Sequence, residues 1–371
     1  MLSIKSYDLC GLHLLRFLLA LSILIVHFPH FFFPYGAEQP DLNTLPFYLV
    51  LNPIYAYGGF AVSIFWMISG IIFYVFYMPQ VRDLHISFPT FFKLRLTKLY
   101  PVHLLTLFLV AILQYSYTTI HGSSFIYGNN DLTHFILNIL MINFWNAKFG
   151  LSFNGPFWSV SVEIFVYILF FLLSRNSLLN STRNIAFIVI TFFIFYALGI
   201  LSPFYECSLY FFGGVLLASN FNRITFNILI LLIFLCIVSC IFRFYNPSFL
   251  EVAELKRIVD LIIKLNFSVA LIVLFVRVFS PVSSKIKGIF MQLGNITCSV
   301  YMIHISLQLI LIYFFFDKGT VFFNTELFFA FYIFISLVLG FLVYQLFELP
   351  AQKFFRSFIK YSRAAIELPH S

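Results

Sequence analysis

Apolar stretches long enough to cross a lipid bilayer recur along this chain. In hydrocarbon the backbone of each is satisfied only as a helix or within a closed barrel. Ten candidate spans can be read: 12–33, 58–78, 101–121, 158–173, 185–201, 204–219, 226–242, 258–277, 289–316 and 326–347. A further apolar stretch, 133–145, is too short to cross and reads as re-entrant or interfacial. Composition agrees: 61% of the 371 residues are hydrophobic, 54 are Phe and only 10% are charged, which excludes an ordinary soluble domain. The expected fold class is all-α, a polytopic membrane helical bundle of about ten transmembrane helices plus the short re-entrant or interfacial segment.

Loop charge orients the bundle. With the N-terminus inside, sixteen Lys and Arg face inward, including Arg82, Lys93, Arg95, Lys98, Lys285 and Lys287. Six face outward: Lys148, Arg243, Lys256, Arg257, Lys264 and Lys318. This bias predicts cytoplasmic N- and C-termini, with Asn246 outside and Ser283 inside. If 133–145 crossed, the C-terminal basic cluster would face out. The net charge of +8 sits in short loops and reads as a topology signal, so no nucleic-acid partner is expected. Cys10, Cys207, Cys236, Cys240 and Cys298 lie in or beside apolar segments, without metal-ligand spacing or a disulfide framework. The first apolar run is too long for a cleavable signal peptide. One integral membrane domain, residues 10–355, is expected to fill the chain, with 356–371 a short cytoplasmic tail. No repeat suggests a transporter with inverted halves.

Charges inside such spans are costly and mark candidate sites. Arg16 and His27 share the first span, separated by roughly 16 Å of helix at about 1.5 Å per residue. Glu163, in Trp158-Ser159-Val160-Ser161-Val162-Glu163, lies about as far below the outer end of its span as His27 does. A carboxylate at that depth could orient His27 as a general base, or simply lock two helices. Arg95 and Lys98, in the basic run ending Tyr100-Pro101, could join Arg16 in a cationic mouth for an anionic ligand, or be topology anchors. Pro101 suits a helix start. Ser69-Gly70, Thr297 to His304 (with Tyr301) and Glu348 before Pro350 are each ordinary alone.

In order, these stretches resemble the acyltransferase-3 family of integral membrane acyltransferases. The matching features are Arg-x10-His (Arg16, His27), Ser69-Gly70, the basic-x-x-basic-x-Tyr-Pro run (Arg95, Lys98, Tyr100, Pro101), the W-S-L-S-V-E-like Trp158 to Glu163, the S-Y-x-L-Y-x-x-H-like Thr297 to His304, and a terminal E-x-P (Glu348, Pro350). The resemblance covers residues 10 to about 355. Lys98 stands where the family usually has Arg, keeping charge but losing the bidentate fork. Thr297-Cys298 replaces Ser-Tyr. The family's frequent fused esterase-like domain is not seen.

The resemblance implies transfer of an acyl group, usually acetyl from acetyl-CoA, to a hydroxyl of a carbohydrate or lipid-linked glycan such as lipopolysaccharide O-antigen. It implies His27 and Glu163 as catalytic candidates and Arg16, Arg95 and Lys98 as acyl-CoA contacts. Ser69, Tyr100, Trp158, Ser159, Tyr301, His304 and Glu348 would serve substrate binding or structural support. No metal is expected. A bacterial inner membrane is the implied location, with membrane lipids around the bundle and a periplasmic partner protein or a second copy as possible company. An acyl-enzyme through Tyr100 or Tyr301 is an alternative chemistry. A non-catalytic transporter or flippase of a lipid-linked sugar is the alternative function.

Overall fold

The computed structural model describes residues 8–35, 41–200, 203–245 and 253–359. Among these residues all regular structure is helical. Helix α1 (Cys10–Val26) starts where Asp8 Oδ1 accepts from Cys10 N at 2.8 Å. It stops because Pro29 has no N–H to give Ile25 O, and the chain tightens into a 3-10 stretch over Phe28–Tyr35. His27 sits at that junction. Helices α2 (Tyr48–Tyr57), α3 (Ala61–Ile72) and α4 (Met78–Arg82) form one long rod, interrupted by a π-turn over Phe73–Tyr77.

Helix α5 (Phe88–His121) is 34 residues long, roughly 51 Å. It begins well before Pro101. Ser87 caps it, accepting from Thr90 N at 3.4 Å, and Pro89 in the first turn costs no hydrogen bond. Pro101 therefore lies inside the helix, and the basic run is helical, not a loop. Gly122, at φ 72°, ends the helix in the left-handed conformation that favours glycine.

The next segment enters the bundle and comes back. Asp131 caps α6 (Leu132–Ile139), and the backbone N–H and then the ring of His134 hold its carboxyl below the usual carboxylate range. The descent brings Asn138 O to His103 Nε2 (2.8 Å) and Ile139 O to the Tyr100 hydroxyl. Trp145 Nε1 then donates to Ser161 O at 3.0 Å. The two ends of the segment are tied together: Asn129 Nδ2 donates to Phe149 O (3.0 Å), and Phe153 N donates to Asn130 Oδ1 (2.8 Å). Residues 133–145 thus form a re-entrant excursion.

Helices α7 (Trp158–Arg175), α8 (Thr182–Ala197), α9 (Pro203–Asn220), α10 (Phe226–Tyr245) and α11 (Ala253–Phe279) follow. The chain continues through α12 (Ser284–Asn295), α13 (Thr297–Phe315), α14 (Gly319–Phe323), α15 (Glu326–Val343), a second π-turn over Tyr344–Glu348, and α16 (Leu349–Ser357). The boundary expected after residue 355 falls within α16. Seven of the described rods are long and apolar enough to cross a membrane. Expected spans 185–201, 204–219 and 226–242 correspond to α8, α9 and α10, of which α8 and the apolar part of α10 are shorter. Asn246 lies outside the described residues.

Both π-turns have a visible cause. Pro79 and Pro350 cannot donate to the carbonyls four residues earlier, and their rings crowd those carbonyls, so the preceding turn widens. Each wide turn carries a polar side chain into the bundle: Tyr77 from the first, Glu348 from the second.

Helices α3 and α9 cross at backbone contact. A Cβ on Gly70 would lie 1.9 Å from Phe211 O, and one on Gly214 would lie 2.0 Å from Met67 O. Neither carbonyl can move without breaking its own helix, so Gly70→Val or Gly214→Val should cost at least the roughly 1–3 kcal/mol of overpacking. Thermal melts in detergent should show a lowered Tm for both. Gly59→Ala, with nothing within 4 Å, should melt like the parent.

Candidate active site

Helices α1, α3, α5, α7 and α13 line a cavity of about 790 Å³, with the π-turn at Phe73–Tyr77 and residues of α4, α12 and α16. Arg16, Arg95 and Lys98 line it, with Glu163, Ser69, Ser159, Cys298 and Tyr301. One Arg16 Nη donates to Thr297 Oγ1 at 3.2 Å. Lys98 lies within the field of Arg16, Arg95 and Glu348. Glu163 faces Ser69, Arg95, Tyr167 and Lys98. Counted as ions, these three cations meet two carboxylates, Glu163 and Glu348, and the cavity lining adds two further bases, Lys287 and Arg356, against one acid, Asp8. The surplus favours an anionic ligand.

Arg95 is the most enclosed of the three cations, with 8% of its surface exposed. Its guanidinium donates to Tyr77 OH (3.3 Å) and Tyr167 OH (3.2 Å) and lies 4.5 Å from the ring centre of Phe73. Aromatic faces and phenol oxygens replace lost hydration. Glu348, also buried, accepts from Ser299 Oγ and from Gln352 Nε2 at 2.9 Å. It supports the floor of this region without lining the cavity.

Further along α1 is a histidine centre. His27 Nδ1 lies 2.9 Å from His304 Nε2, and their rings are nearly parallel, 5° apart, with centroids separated by 5.0 Å. The His30 ring also lies against His27, with centroids 4.8 Å apart. Gln308 ties the group together: its Nε2 donates to His27 O (2.8 Å) and Tyr332 OH (3.2 Å), and its Oε1 faces His30 Nδ1 at 3.1 Å. Thus α1 with the 3-10 stretch that continues it runs beside α13 in one direction, joined at Arg16–Thr297, His27–His304 and His30–Gln308. Tyr301 links the two centres. It lines the cavity, its hydroxyl contacts Ser159 Oγ (3.0 Å), and its carbonyl lies 2.6 Å from His304 Nδ1.

The structure therefore gathers Arg16, Arg95, Lys98, Glu163, Ser69, Ser159 and Tyr301 around one cavity, and pairs His27 with His304 beyond it. It does not pair His27 with Glu163. Glu163 lies at the level of Arg16 and Arg95. The depth count failed because α7 starts inside the bundle: Asn154, just ahead of it, already donates to Met302 O (2.8 Å) and Thr106 Oγ1 (3.2 Å). Tyr100 donates to the re-entrant segment, and Trp158 packs edge-on against Trp66 at 5.8 Å. The hydroxyls of Tyr100 and Tyr301 both donate to backbone carbonyls, of Ile139 and Pro156. Tyr77, Tyr167, His30 and Gln308 were not anticipated. The available signals were helical spacings: Tyr167 four residues after Glu163, and Gln308 four after His304.

The model of a family described as acyltransferase domain matches residues 11–345. The acyltransferase MdmB of Streptomyces mycarofaciens is 28% identical over 160 residues, covering 42% of this chain and 36% of that relative. No solved structure matches.

The Arg95 cage generates a stability test. Arg95→Leu leaves Tyr77, Tyr167 and Glu163 facing a lost cation and should cost about 3–5 kcal/mol, as breaking a buried charged network does. Arg16→Gln keeps a donor to Thr297 and should melt near the parent. Comparable Tm losses in the two variants would show the cage to be no more structural than the rest of the cavity.

Proposed function

Since the chain belongs to the acyltransferase domain family, we propose that it transfers an acyl group, acetyl foremost, from cytoplasmic acetyl-CoA to a hydroxyl of a cell-surface carbohydrate or lipid-linked glycan. The reaction would occur in a bacterial inner membrane, with both termini cytoplasmic and the acceptor reaching the bundle from the extracytoplasmic side. The observation that carries this reading is one helix, α1, bearing a cation in a cavity with surplus positive charge and, at its C-terminal end eleven residues on, an imidazole held by a second imidazole.

The cavity residues suit an acyl-CoA. Arg16, Lys98 and the caged Arg95 offer phosphate partners, and the cavity wall includes Tyr301, whose carbonyl meets His304. A pantetheine arm is long and slender enough to lie along such a passage. His27 would take the proton from the acceptor hydroxyl as its oxygen adds to the thioester carbonyl, then return that proton to the departing sulfur. Glu163 would offset the cation cluster, leaving the imidazole to His304.

His27→Ala should cut acyl transfer by about 10²–10⁴-fold, the usual loss for a general base. It should leave the protein folded and able to bind acetyl-CoA. The readout is mass spectrometry of surface polysaccharide from cells carrying each variant. Unchanged acylation would end the reading. In purified protein, Arg16→Ala should weaken acetyl-CoA binding about tenfold to hundredfold, the loss expected for charged hydrogen bonds of about 1.5–3 kcal/mol. Added salt should weaken parental binding as well. A transporter of lipid-linked sugars would bind no acetyl-CoA at all.

A further inference from the structure

The hydrogen bonds of the histidine centre run in one direction. Tyr301 O is a carbonyl and only accepts, so His304 Nδ1 carries the hydrogen in the 2.6 Å contact between them. With both rings neutral, as a resting general base requires, His304 Nε2 is then bare and accepts. His27 Nδ1, 2.9 Å away, must donate to it. The lone pair of His27 is left on Nε2. That atom is not among the buried unpaired ones, and His27 is only half-buried. Gln308 is oriented the same way. Its amide nitrogen donates to His27 O and Tyr332 OH, which turns its oxygen toward His30 Nδ1.

We propose that His304 is a positioning residue, which holds His27 in the tautomer with a bare Nε2. This rests on the reading of His27 as general base. In familiar triads a carboxylate orients the imidazole and stabilises the cation that forms. Here a second imidazole does so, and its own tautomer is set by the Tyr301 carbonyl. The proton balance is simple. The acceptor's proton goes to His27 Nε2, the Nδ1 hydrogen stays on His27 while its bond to His304 strengthens, and the Nε2 proton leaves with the thiol. Without His304, His27 could carry its hydrogen on either nitrogen and rotate. The chain Tyr301 O, His304, His27 thereby makes the backbone of α13 part of the base's setting.

A purely structural His304 would bolt α1 to α13 and do nothing more. Two substitutions separate the cases. His304→Phe keeps a ring but removes the acceptor, while His304→Gln keeps an acceptor oxygen for His27 Nδ1. For the full-length protein in nanodiscs, His304→Phe should lower kcat by about 10²–10⁴-fold with KM for acetyl-CoA unchanged. His304→Gln should recover much of that loss. Nitrogen-15 NMR of histidine-labelled protein, with His27 assigned by its loss in His27→Gln, should show a hydrogen on Nδ1 and a bare Nε2. In His304→Phe that preference should disappear. Full kcat in a folded His304→Phe, or a hydrogen on His27 Nε2 in the parent, would overturn the proposal. If His304→Phe fails to fold, the spectrum of the parent decides alone. An active His27→Ala would instead sink the general-base reading itself. An inactive His27→Ala beside a fully active His304→Phe would sink only the role of His304.

Discussion

A guanidinium inside a lipid-immersed bundle has to be clothed by the protein, because hydrocarbon offers it nothing. Around Arg95 that requirement draws three separate parts of the chain together. Tyr77 arrives on the π-turn before Pro79, Tyr167 on α7, and Phe73 lies beneath the charge. These elements also supply much of the cavity wall. The site is thus built on a solved solvation problem. Once Arg95 is enclosed, α5, α7 and the end of α3 have fixed relative positions, and Ser69 and Glu163 are delivered with them.

The segment from Trp158 to Glu163 shows how one short run serves several ends. Trp158 packs on Trp66 and Phe144, whereas Ser159 reaches Tyr301. Ser161 holds the tip of the re-entrant excursion through Phe144 N and Trp145 Nε1. Glu163 meets the cations. A helix presents its successive residues in different directions, so a segment at the meeting point of cavity, excursion and histidine centre needs a particular side chain at nearly every position.

Much of this was legible in the sequence because bilayer physics leaves few options. Apolar runs gave the rods, the short run 133–145 announced an excursion, and the isolated charge at Arg16 marked the cavity. What escaped was whatever depends on where a helix starts relative to its neighbours. Counting from span ends assumed that the first span ends and α7 begins at comparable levels, yet α7 begins inside the bundle after the excursion. Pro101 was read as a helix start because a proline there is harmless, but Ser87 and Pro89 provide an earlier one. The partnership of His27 with His304 joins residues 277 apart in sequence, and no local pattern encodes it.

The three contacts between α1 and α13 occur at successive heights along two helices that run the same way. Sliding one helix past the other would break all three at once, and tilting would break those at one end. The two helices therefore act mechanically as a single strut, with the ligand-binding charges and the imidazoles at fixed separation along it. Any opening needed to admit one reactant or release another has to come from the parts that are not bolted to this strut. The re-entrant excursion is held mainly by α5 and α7 instead, through Tyr100, His103 and Ser161.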